Sequence, residues 1–369
     1  MKKALQLIFF IVLLNSVSAQ SAFNKYFLDK TLCLYYNISG DSISCNVTQE
    51  DWHIYDGWAG PTRRINHRIV DSNMEIVMRD SASQSVIYNS SYSSLFCEWQ
   101  VADKGVKSDD VFKEAAKMPL PKRCVEISLV RHFDFGLCDT ILTTIYNPQY
   151  NKAVCSSIEY PILQILRSGS CHKNIDLLFL PEGYQSNEMY KFEASVNELT
   201  RRFFEYAPFS KYRNRFNISA LLAPSPESGA DIPSQGVVRN TLMDFTYGVF
   251  GVDRYMGTLN YQLLCDVASC IPWDYVIVVV NTNKYGGGGI YNFYSVLSGN
   301  NEQSLALLVH EFGHGFANLD DEYSEPNNPL SAQVEPNRRC IMHDLQTHYF
   351  CHFCSDSIEH ILRFFLNKK

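Results

Sequence analysis

The sequence His310-Glu-Phe-Gly-His314 constrains the fold of this chain more than any other segment. In a helix, residues four apart share one face, so the two imidazoles can bind the same metal ion. Apolar residues at helical spacing occupy roughly the opposite face of the same segment: Leu305, Leu308, Val309, Phe312 and Phe316. The pattern predicts a helix that is buried along one side and presents both histidines to a cleft.

The glutamate between the histidines completes a catalytic pattern. Glu311 lies about 100° around the helix from its neighbours and can reach a water on the metal. Two histidine ligands, a third ligand further along and a carboxylate base are the components of a zinc hydrolase site. We therefore predict that His310 and His314 bind one zinc ion and that Glu311 is the general base.

The third zinc ligand is expected just beyond the end of this helix. Asn318 is the best candidate for the left-handed residue that ends it, because asparagine tolerates that conformation. In metzincins the residue at this turn precedes the third ligand by three positions, which gives Asp321. Standard metzincin spacing counted from the first histidine gives Asp320, with Ala317 at the turn. We predict Asp321 as the ligand, with Asp320 second and Glu322 third.

Two further segments are expected near the zinc. Gly286, Gly287, Gly288 and Gly289 form either an edge strand that offers its peptide groups to an extended substrate or a flexible loop. Met342 stands where a metzincin carries its Met-turn, as a soft floor beneath the metal. Considered alone, Met342 is more often an ordinary core residue.

The N-terminus predicts export. Two lysines precede an apolar run at residues 4–14, and Val17-Ser-Ala19 forms a small-residue cleavage site, so residues 1–19 are typical of a signal peptide. The apolar run is too short to span a bilayer comfortably. We expect a soluble mature chain that begins near Gln20 and is secreted or periplasmic.

The twelve cysteines fit that destination. Their number is even, and an oxidising compartment favours disulfide bonds. Cys351 and Cys354 have the spacing of half a structural zinc site, but in an exported protein we expect disulfides among Cys340, Cys351 and Cys354 instead.

The distribution of strand and helix patterns divides the chain into two parts. Residues 20–165 are rich in short β-patterned segments separated by turn residues, with one short helix at 109–117, which favours a β-sandwich. Beyond residue 170 the pattern alternates, and we expect a mixed α/β sheet over residues 170–369. The predicted strands there are 175–180, 216–222 and 275–280, and the predicted helices are 187–206, 255–265 and 355–365.

With these residues identified, the chain resembles the secreted zinc metallopeptidase family typified by a bacterial IgA-cleaving endopeptidase. The resemblance covers most of the mature sequence. The matching segments are Tyr26-Phe-Leu-Asp-Lys-Thr31, Gly57-Trp-Ala-Gly-Pro61, Pro181-Glu-Gly-Tyr184, Pro226-Glu-Ser-Gly229, Tyr285-Gly-Gly-Gly-Gly-Ile290, His310-Glu-Phe-Gly-His314, Asp321-Glu-Tyr323 and Phe350-Cys-x-x-Cys354.

The resemblance implies a β-sandwich domain ahead of a zincin-like, metzincin-like catalytic domain. It assigns zinc ligands to His310 and His314, the base to Glu311, and supports Asp321 as the third ligand. The chain departs from the family in having Asn318 where a glycine is usual and Asp320 where a small neutral residue is usual. The family's name records one member's substrate and does not imply that this chain cleaves IgA.

We therefore predict an exported zinc endopeptidase that acts on proteins or glycoproteins. The net charge of −7 is spread without basic blocks, which argues against a nucleic-acid partner. Two alternatives are a glycoprotein-binding module with a relict metal site and a zinc hydrolase of a non-peptide substrate. The intact His-Glu-His set argues against the first, and the glycine-rich segment argues weakly against the second.

Overall fold

A computed structural model describes residues 23–102, 110–133, 136–155, 158–322 and 339–368 of this chain. The predicted signal peptide and Tyr323, at the end of the Asp-Glu-Tyr segment, lie outside the described residues. Within the described ranges, no helix combines the length and the apolar character needed to cross a lipid bilayer.

The N-terminal part contains two four-stranded sheets. Its strands, in chain order, are β1 (Phe27–Gly40), β2 (Cys45–Asp56), β3 (Met74–Asp80), β4 (Val86–Tyr92), β5 (Phe112–Pro121), β6 (Val125–His132), β7 (Cys138–Tyr146) and β8 (Ala153–Cys155). The strand orders are β5-β1-β2-β8 and β4-β3-β6-β7, and all pairs are antiparallel except β2 with β8. Buried residues of both sheets belong to one apolar cluster. The predicted strand-rich character is confirmed, and the shared core is consistent with a β-sandwich.

The helix expected at residues 109–117 was a wrong prediction. Strand β5 covers most of that segment and pairs with β1, while a helix that we did not predict, α1 (Leu95–Ala102), precedes it. The local run of alanine, lysine and glutamate favours a helix, but pairing with β1 overrides this preference. Glu114 is buried in β5 and accepts hydrogen bonds from the backbone N–H of Phe96 at 3.1 Å and the hydroxyl of Ser94 at 2.8 Å. Its carboxylate thus accepts a hydrogen bond from a backbone N–H group in the first turn of α1 that has no acceptor within the helix.

The second part is built on a six-stranded mixed sheet. The remaining strands are β9 (Ile162–Leu166), β10 (Ile175–Glu182), β11 (Phe216–Leu221), β12 (Thr246–Tyr247), β13 (Met256–Gly257), β14 (Tyr275–Val280), β15 (Gly287–Ile290) and β16 (Tyr294–Ser298). The large sheet has the order β15-β16-β14-β10-β11-β9, with parallel pairs in the middle and an antiparallel strand at each edge. Strands β12 and β13 form a separate two-stranded sheet. The predicted mixed α/β sheet is confirmed.

Both faces of the large sheet are buried at its central strands. In β14, Tyr275, Ile277 and Val279 lie in one apolar cluster and Val276, Val278 and Val280 in the other, as the two-residue period of a strand requires. The first cluster also contains side chains of three helices: α2 (Met189–Phe203), α4 (Ser304–Ala317) and α5 (His352–Lys368). The second continues into the core of the N-terminal sheets and includes helix α3 (Tyr261–Ala268). Helix α3 was predicted to begin at residue 255. It begins six residues later, because strand β13 occupies part of the intervening segment.

The two parts of the chain are joined by buried and partly buried polar contacts as well as by this core. The hydroxyl of Tyr35 in β1 donates to Asp266 of α3 at 2.8 Å. The amide of Gln262, also in α3, donates to the carbonyl oxygen of Tyr36 at 3.2 Å. The ammonium of Lys117 in β5 lies 2.8 Å from the carbonyl oxygen of Trp273. Helix α3 therefore lies between the N-terminal sheets and the large sheet.

The expected disulfide bonds are not confirmed. All twelve cysteines fall within the described residues, and each has a free thiol. Cys340, Cys351 and Cys354 nevertheless lie close together, beside the carboxylate of Glu322.

Candidate metal centre

Helix α4 carries the His-Glu-x-x-His sequence and is anchored by aromatic packing on its far side. The ring of Phe312 lies 5.2 Å from that of Phe203 in α2, 5.6 Å from that of Tyr275 in β14 and 4.7 Å from that of Phe316 one turn along. Rings at these separations contribute about 0.5–1.5 kcal/mol per pair beyond their burial. The apolar stripe thus fixes the rotation of α4, and the opposite face presents the histidines to a cleft.

The end of α4 turns the chain back toward the histidines. Asn318 has φ 51° and ψ 42°, the left-handed conformation predicted for it. Its N–H donates to the carbonyl oxygen of His314 at 2.9 Å, and that of Leu319 donates to the carbonyl oxygen of Gly313 at 3.1 Å. These bonds satisfy two of the carbonyl groups at the C-terminal end of the helix. The turn directs the chain that follows across the open face of α4.

Three potential ligand atoms meet at this face. The Nε2 atoms of His310 and His314 are 3.1 Å apart, and Oδ1 of Asp321 lies 3.2 Å from the first and 3.1 Å from the second. Tetrahedral zinc with bonds of roughly 2.0–2.1 Å separates its ligand atoms by about 3.3 Å. The donor set and its spacing therefore fit a zinc ion with three protein ligands.

Backbone carbonyl groups orient both imidazoles. Nδ1 of His310 lies 3.0 Å from the carbonyl oxygen of Ile341, and Nδ1 of His314 lies 2.5 Å from that of Leu319. A carbonyl oxygen can only accept, so Nδ1 carries the proton in each ring. In the neutral form of each ring, the lone pair of Nε2 is then directed at the shared position, as metal-ligating histidines require.

The three acidic residues considered as third ligand have separate positions. Asp321 meets the histidines, whereas Asp320 is exposed on the wall of the same cleft. Glu322 is buried and belongs to the group that contains Cys340, Cys351 and Cys354.

Charges at this centre perturb its titratable groups. Burial lowers the pKa of His314, but the hydrogen bond and charge of Asp321 outweigh that effect and raise the pKa to about 9. Burial alone would raise the pKa of Asp321, yet hydrogen bonds from His310 and His314 hold it far below the usual range. Asp321 therefore carries a negative charge that the positive charge of His314 balances. A bound cation would balance the same negative charge.

Glu311 lies against the glycine-rich strand. A β-carbon on Gly287 would come within 2.6 Å of its Oε1 atom, and a β-carbon on Gly289 within 2.5 Å of its carbonyl oxygen. Glycine at both positions lets β15 approach α4 this closely. Burial raises the pKa of Glu311, while the charges of the two histidines partly oppose the shift. A raised pKa suits a carboxylate that takes up and releases a proton during a reaction.

The glycine-rich segment is mostly a strand. β15 is the edge strand of the large sheet and pairs with β16 on one side. On its other side the N–H of Gly287 donates to the carbonyl oxygen of Arg254 at 3.2 Å. Successive peptide groups of a strand point to alternate sides, so the peptide group of Gly289, two residues along, points away from β16 as that of Gly287 does. Gly286, just before the strand, and Gly288 lie against Tyr247 and Tyr255, respectively.

Met342 is fully buried below the helix. Gly313 lies between the two histidines in the sequence, and a β-carbon on it would come within 2.8 Å of the sulfur of Met342. Its carbonyl oxygen accepts from the N–H of Glu322 at 2.9 Å. Met342 is therefore both a core residue and a support of the segment that carries Asp321.

The cleft around these residues has a volume of about 780 Å³. Sequence reasoning missed several of its lining residues: Glu98, Arg254, Tyr255 and Asp344. Glu98 comes from α1 of the N-terminal part, and the amide of Asn73 donates to it at 2.8 Å. No short-range pattern marks Glu98, since its position in the cleft depends on the packing of two distant parts of the chain.

Two protein-family models match the chain. The model described as IgA Peptidase M64 matches residues 163–333, and the model described as Peptidase M64 N-terminus matches residues 22–136. Together they cover more than three quarters of the sequence, including the histidines and Asp321. A search among curated proteins found no match.

Proposed function

The chain belongs to the IgA peptidase M64 family of metallopeptidases, and from this premise we propose that it is an exported zinc endopeptidase of extracellular proteins or glycoproteins. Family membership makes it a hydrolase with a protein substrate. The identity of the metal, the export and the glycoprotein substrates are our proposals. The assignment of zinc rests on the two imidazoles and the carboxylate that would bind it, and the assignment of export rests on the N-terminal sequence pattern.

One observation carries the assignment of zinc. Three atoms of the types that zinc prefers lie 3.1–3.2 Å from one another, and both imidazoles are oriented by backbone carbonyl groups. We propose His310, His314 and Asp321 as the zinc ligands. Bound there, zinc supplies Lewis acidity that polarises a carbonyl group and acidifies water.

The residues of the chain then perform the proton transfers. The buried carboxylate of Glu311 takes a proton from the attacking water and delivers it to the nitrogen of the leaving amine. Gly287 and Gly289 hold β15 beside that carboxylate. We propose that the outward peptide group of Gly289 binds the extended main chain of the substrate, as an added strand would.

We also propose the finer architecture. The β-sandwich domain predicted for residues 20–165 ends before β9, because that strand belongs to the large sheet. Strand β9 and residues 170–369 are a zincin-like catalytic domain, in which Met342 is the Met-turn. The shared core of the two N-terminal sheets and the position of Met342 beneath α4 support this assignment. The family match argues against both a relict binding module and a hydrolase of non-peptide substrates.

The central test separates ligand from base. We expect His310→Ala to lower the zinc content of the purified mature protein by one ion per chain. Glu311→Gln should keep that ion and lose activity by roughly 10²–10⁴-fold, because it removes a base and not a ligand. Zinc analysis together with cleavage of a mixed peptide library measures both. Unchanged zinc in His310→Ala, or near-normal cleavage by Glu311→Gln, would refute the proposal.

A further inference from the structure

A second group of potential ligands lies beside the catalytic cleft. Glu322, Cys340, Cys351 and Cys354 each place one ligand atom within 4.8 Å of the others. All four side chains are buried, with at most 9% of any residue exposed. A carboxylate and three thiols are thus gathered in one enclosed place.

The spacing within this group suits a tetrahedral ion. Oε1 of Glu322 lies 3.1 Å from the sulfur of Cys354 and 3.4 Å from that of Cys351. Zinc bonds of about 2.3 Å to sulfur and about 2.0 Å to oxygen give an oxygen–sulfur separation of roughly 3.5 Å. The sulfurs also accept backbone N–H groups: Cys351 donates to the sulfur of Cys340 at 3.2 Å, and Cys354 to that of Cys351 at 3.5 Å. Such hydrogen bonds stabilise the thiolate form that binds metal.

We propose that these four residues bind a second, structural zinc ion. Four protein ligands leave no position open for water or substrate, which distinguishes this site from the catalytic one. A disulfide bond would use two of the four side chains. A divalent cation uses all of them and brings positive charge next to a carboxylate that is 9% exposed.

The second ion would support the catalytic ligands through the main chain. Glu322 directly follows Asp321, and its N–H donates to the carbonyl oxygen of Met342 at 2.9 Å. Cys340 directly precedes Ile341, whose carbonyl oxygen accepts from His310. Two of the four ligands are therefore sequence neighbours of residues that hold the catalytic centre.

Metal stoichiometry tests the proposal in the mature protein. After reconstitution with zinc and removal of the excess, we expect two ions in the wild type and one in His310→Ala/His314→Ala. Cys351→Ser/Cys354→Ser should lose the second ion. The matched control is Cys138→Ser/Cys155→Ser, which changes two exposed cysteines elsewhere and should keep both ions.

Cobalt substitution keeps the test decisive if the Cys351→Ser/Cys354→Ser protein does not fold. Cobalt in His310→Ala/His314→Ala should give the near-ultraviolet charge-transfer absorption of cobalt–thiolate bonds. Absence of that band, or peptide mapping that finds Cys340, Cys351 or Cys354 in a disulfide bond of the native protein, would overturn the second site. Failure of the catalytic proposal is separate, since it would leave the zinc content unchanged by the histidine substitutions.

Discussion

A β-carbon on Gly287 would lie 2.6 Å from Oε1 of Glu311. The glycine thus sets how closely strand β15 can approach the proposed general base. Because Gly287 belongs to the strand and Glu311 to helix α4, their contact couples the edge of the sheet to the chemistry of the cleft.

We predict that Gly287→Ala lowers kcat by about 100-fold, since a displacement of about 1 Å at a catalytic group can cost that much. Zinc content should stay at the wild-type level because no ligand is changed. Steady-state kinetics and metal analysis are the measurements. Gly169→Ala is the control, as its β-carbon would meet only the side chain of Asn174. Wild-type kcat in Gly287→Ala would disprove the steric argument.

Asp321→Ala should weaken zinc binding at the catalytic site by more than the roughly 10–100-fold expected for a residue outside the ligand shell. Asp320→Ala should stay within that range, because its carboxylate lies outside the group formed by His310, His314 and Asp321. Competition with a chelator gives the two affinities. The reverse ranking would assign the ligand to Asp320.

The acid limb of the pH–activity profile should lie above pH 4.5, the ordinary value for glutamate, since burial raises the pKa of Glu311. The active form is the carboxylate, so activity is lost as pH falls through the raised pKa. The measurement is kcat/KM against pH, with zinc content determined at each point. An acid limb at or below 4.5 with zinc retained would contradict the assignment of Glu311.

Glu182 should make stability depend on pH. Its buried carboxyl accepts hydrogen bonds from Thr241, Met243 and Phe245, yet burial dominates and raises its pKa to about 7. The folded state then binds the proton more tightly than the unfolded state, where the pKa is near 4.5. The stabilisation is complete below about pH 4.5 and is lost as pH rises through about 7, to an extent of roughly 3 kcal/mol.

Chemical denaturation of wild type and Glu182→Gln at several pH values measures this effect. The difference between the two free energies of unfolding should shift against the wild type as pH rises from 4.5 to 7. A constant difference over that range would show that Glu182 has an ordinary pKa.

Glu98→Gln should retain zinc and reduce kcat/KM by about three- to tenfold for peptides with a basic residue near the scissile bond. Glu98 lines the cleft but is neither a ligand nor the proposed base. Burial raises the pKa of its carboxyl, and in the ionised form it would place a negative charge on the wall. Matched peptides with lysine or norleucine at one position measure it, and Glu193→Gln on α2 is the control. An equal loss on both peptides would indicate a structural role instead.

Local patterns predicted the helix and its end. The apolar stripe around Phe312 and the conformational tolerance of Asn318 depend only on near neighbours in the chain, and the structure has both features. Strand β5 was missed because its identity depends on pairing with β1, more than seventy residues earlier in the sequence. Local propensity cannot report such a partner.

The remaining residues of the cleft could be identified only from the tertiary structure. Glu98 comes from a segment ahead of the large sheet in the sequence, and Arg254 from the segment between strands β11 and β14. Neither stands in a recognisable motif. Glu322 was considered as a third-choice catalytic ligand, whereas the structure brings it to three cysteines. Asp321 and Glu322 are adjacent in the sequence but belong to different groups, and only the path of the chain decides which carboxylate faces which group.

The polar contacts between the N-terminal sheets and the second part of the chain should hold the two parts together after a single proteolytic cut between them. A protease that cut the backbone near residue 160 would sever the covalent link and leave the contacts of Tyr35, Gln262 and Lys117 in place. The two fragments should then migrate as one particle until a denaturant separates them. Insertions or deletions at that link should be tolerated, whereas exchange of either half for that of a distant relative would mismatch the shared surface.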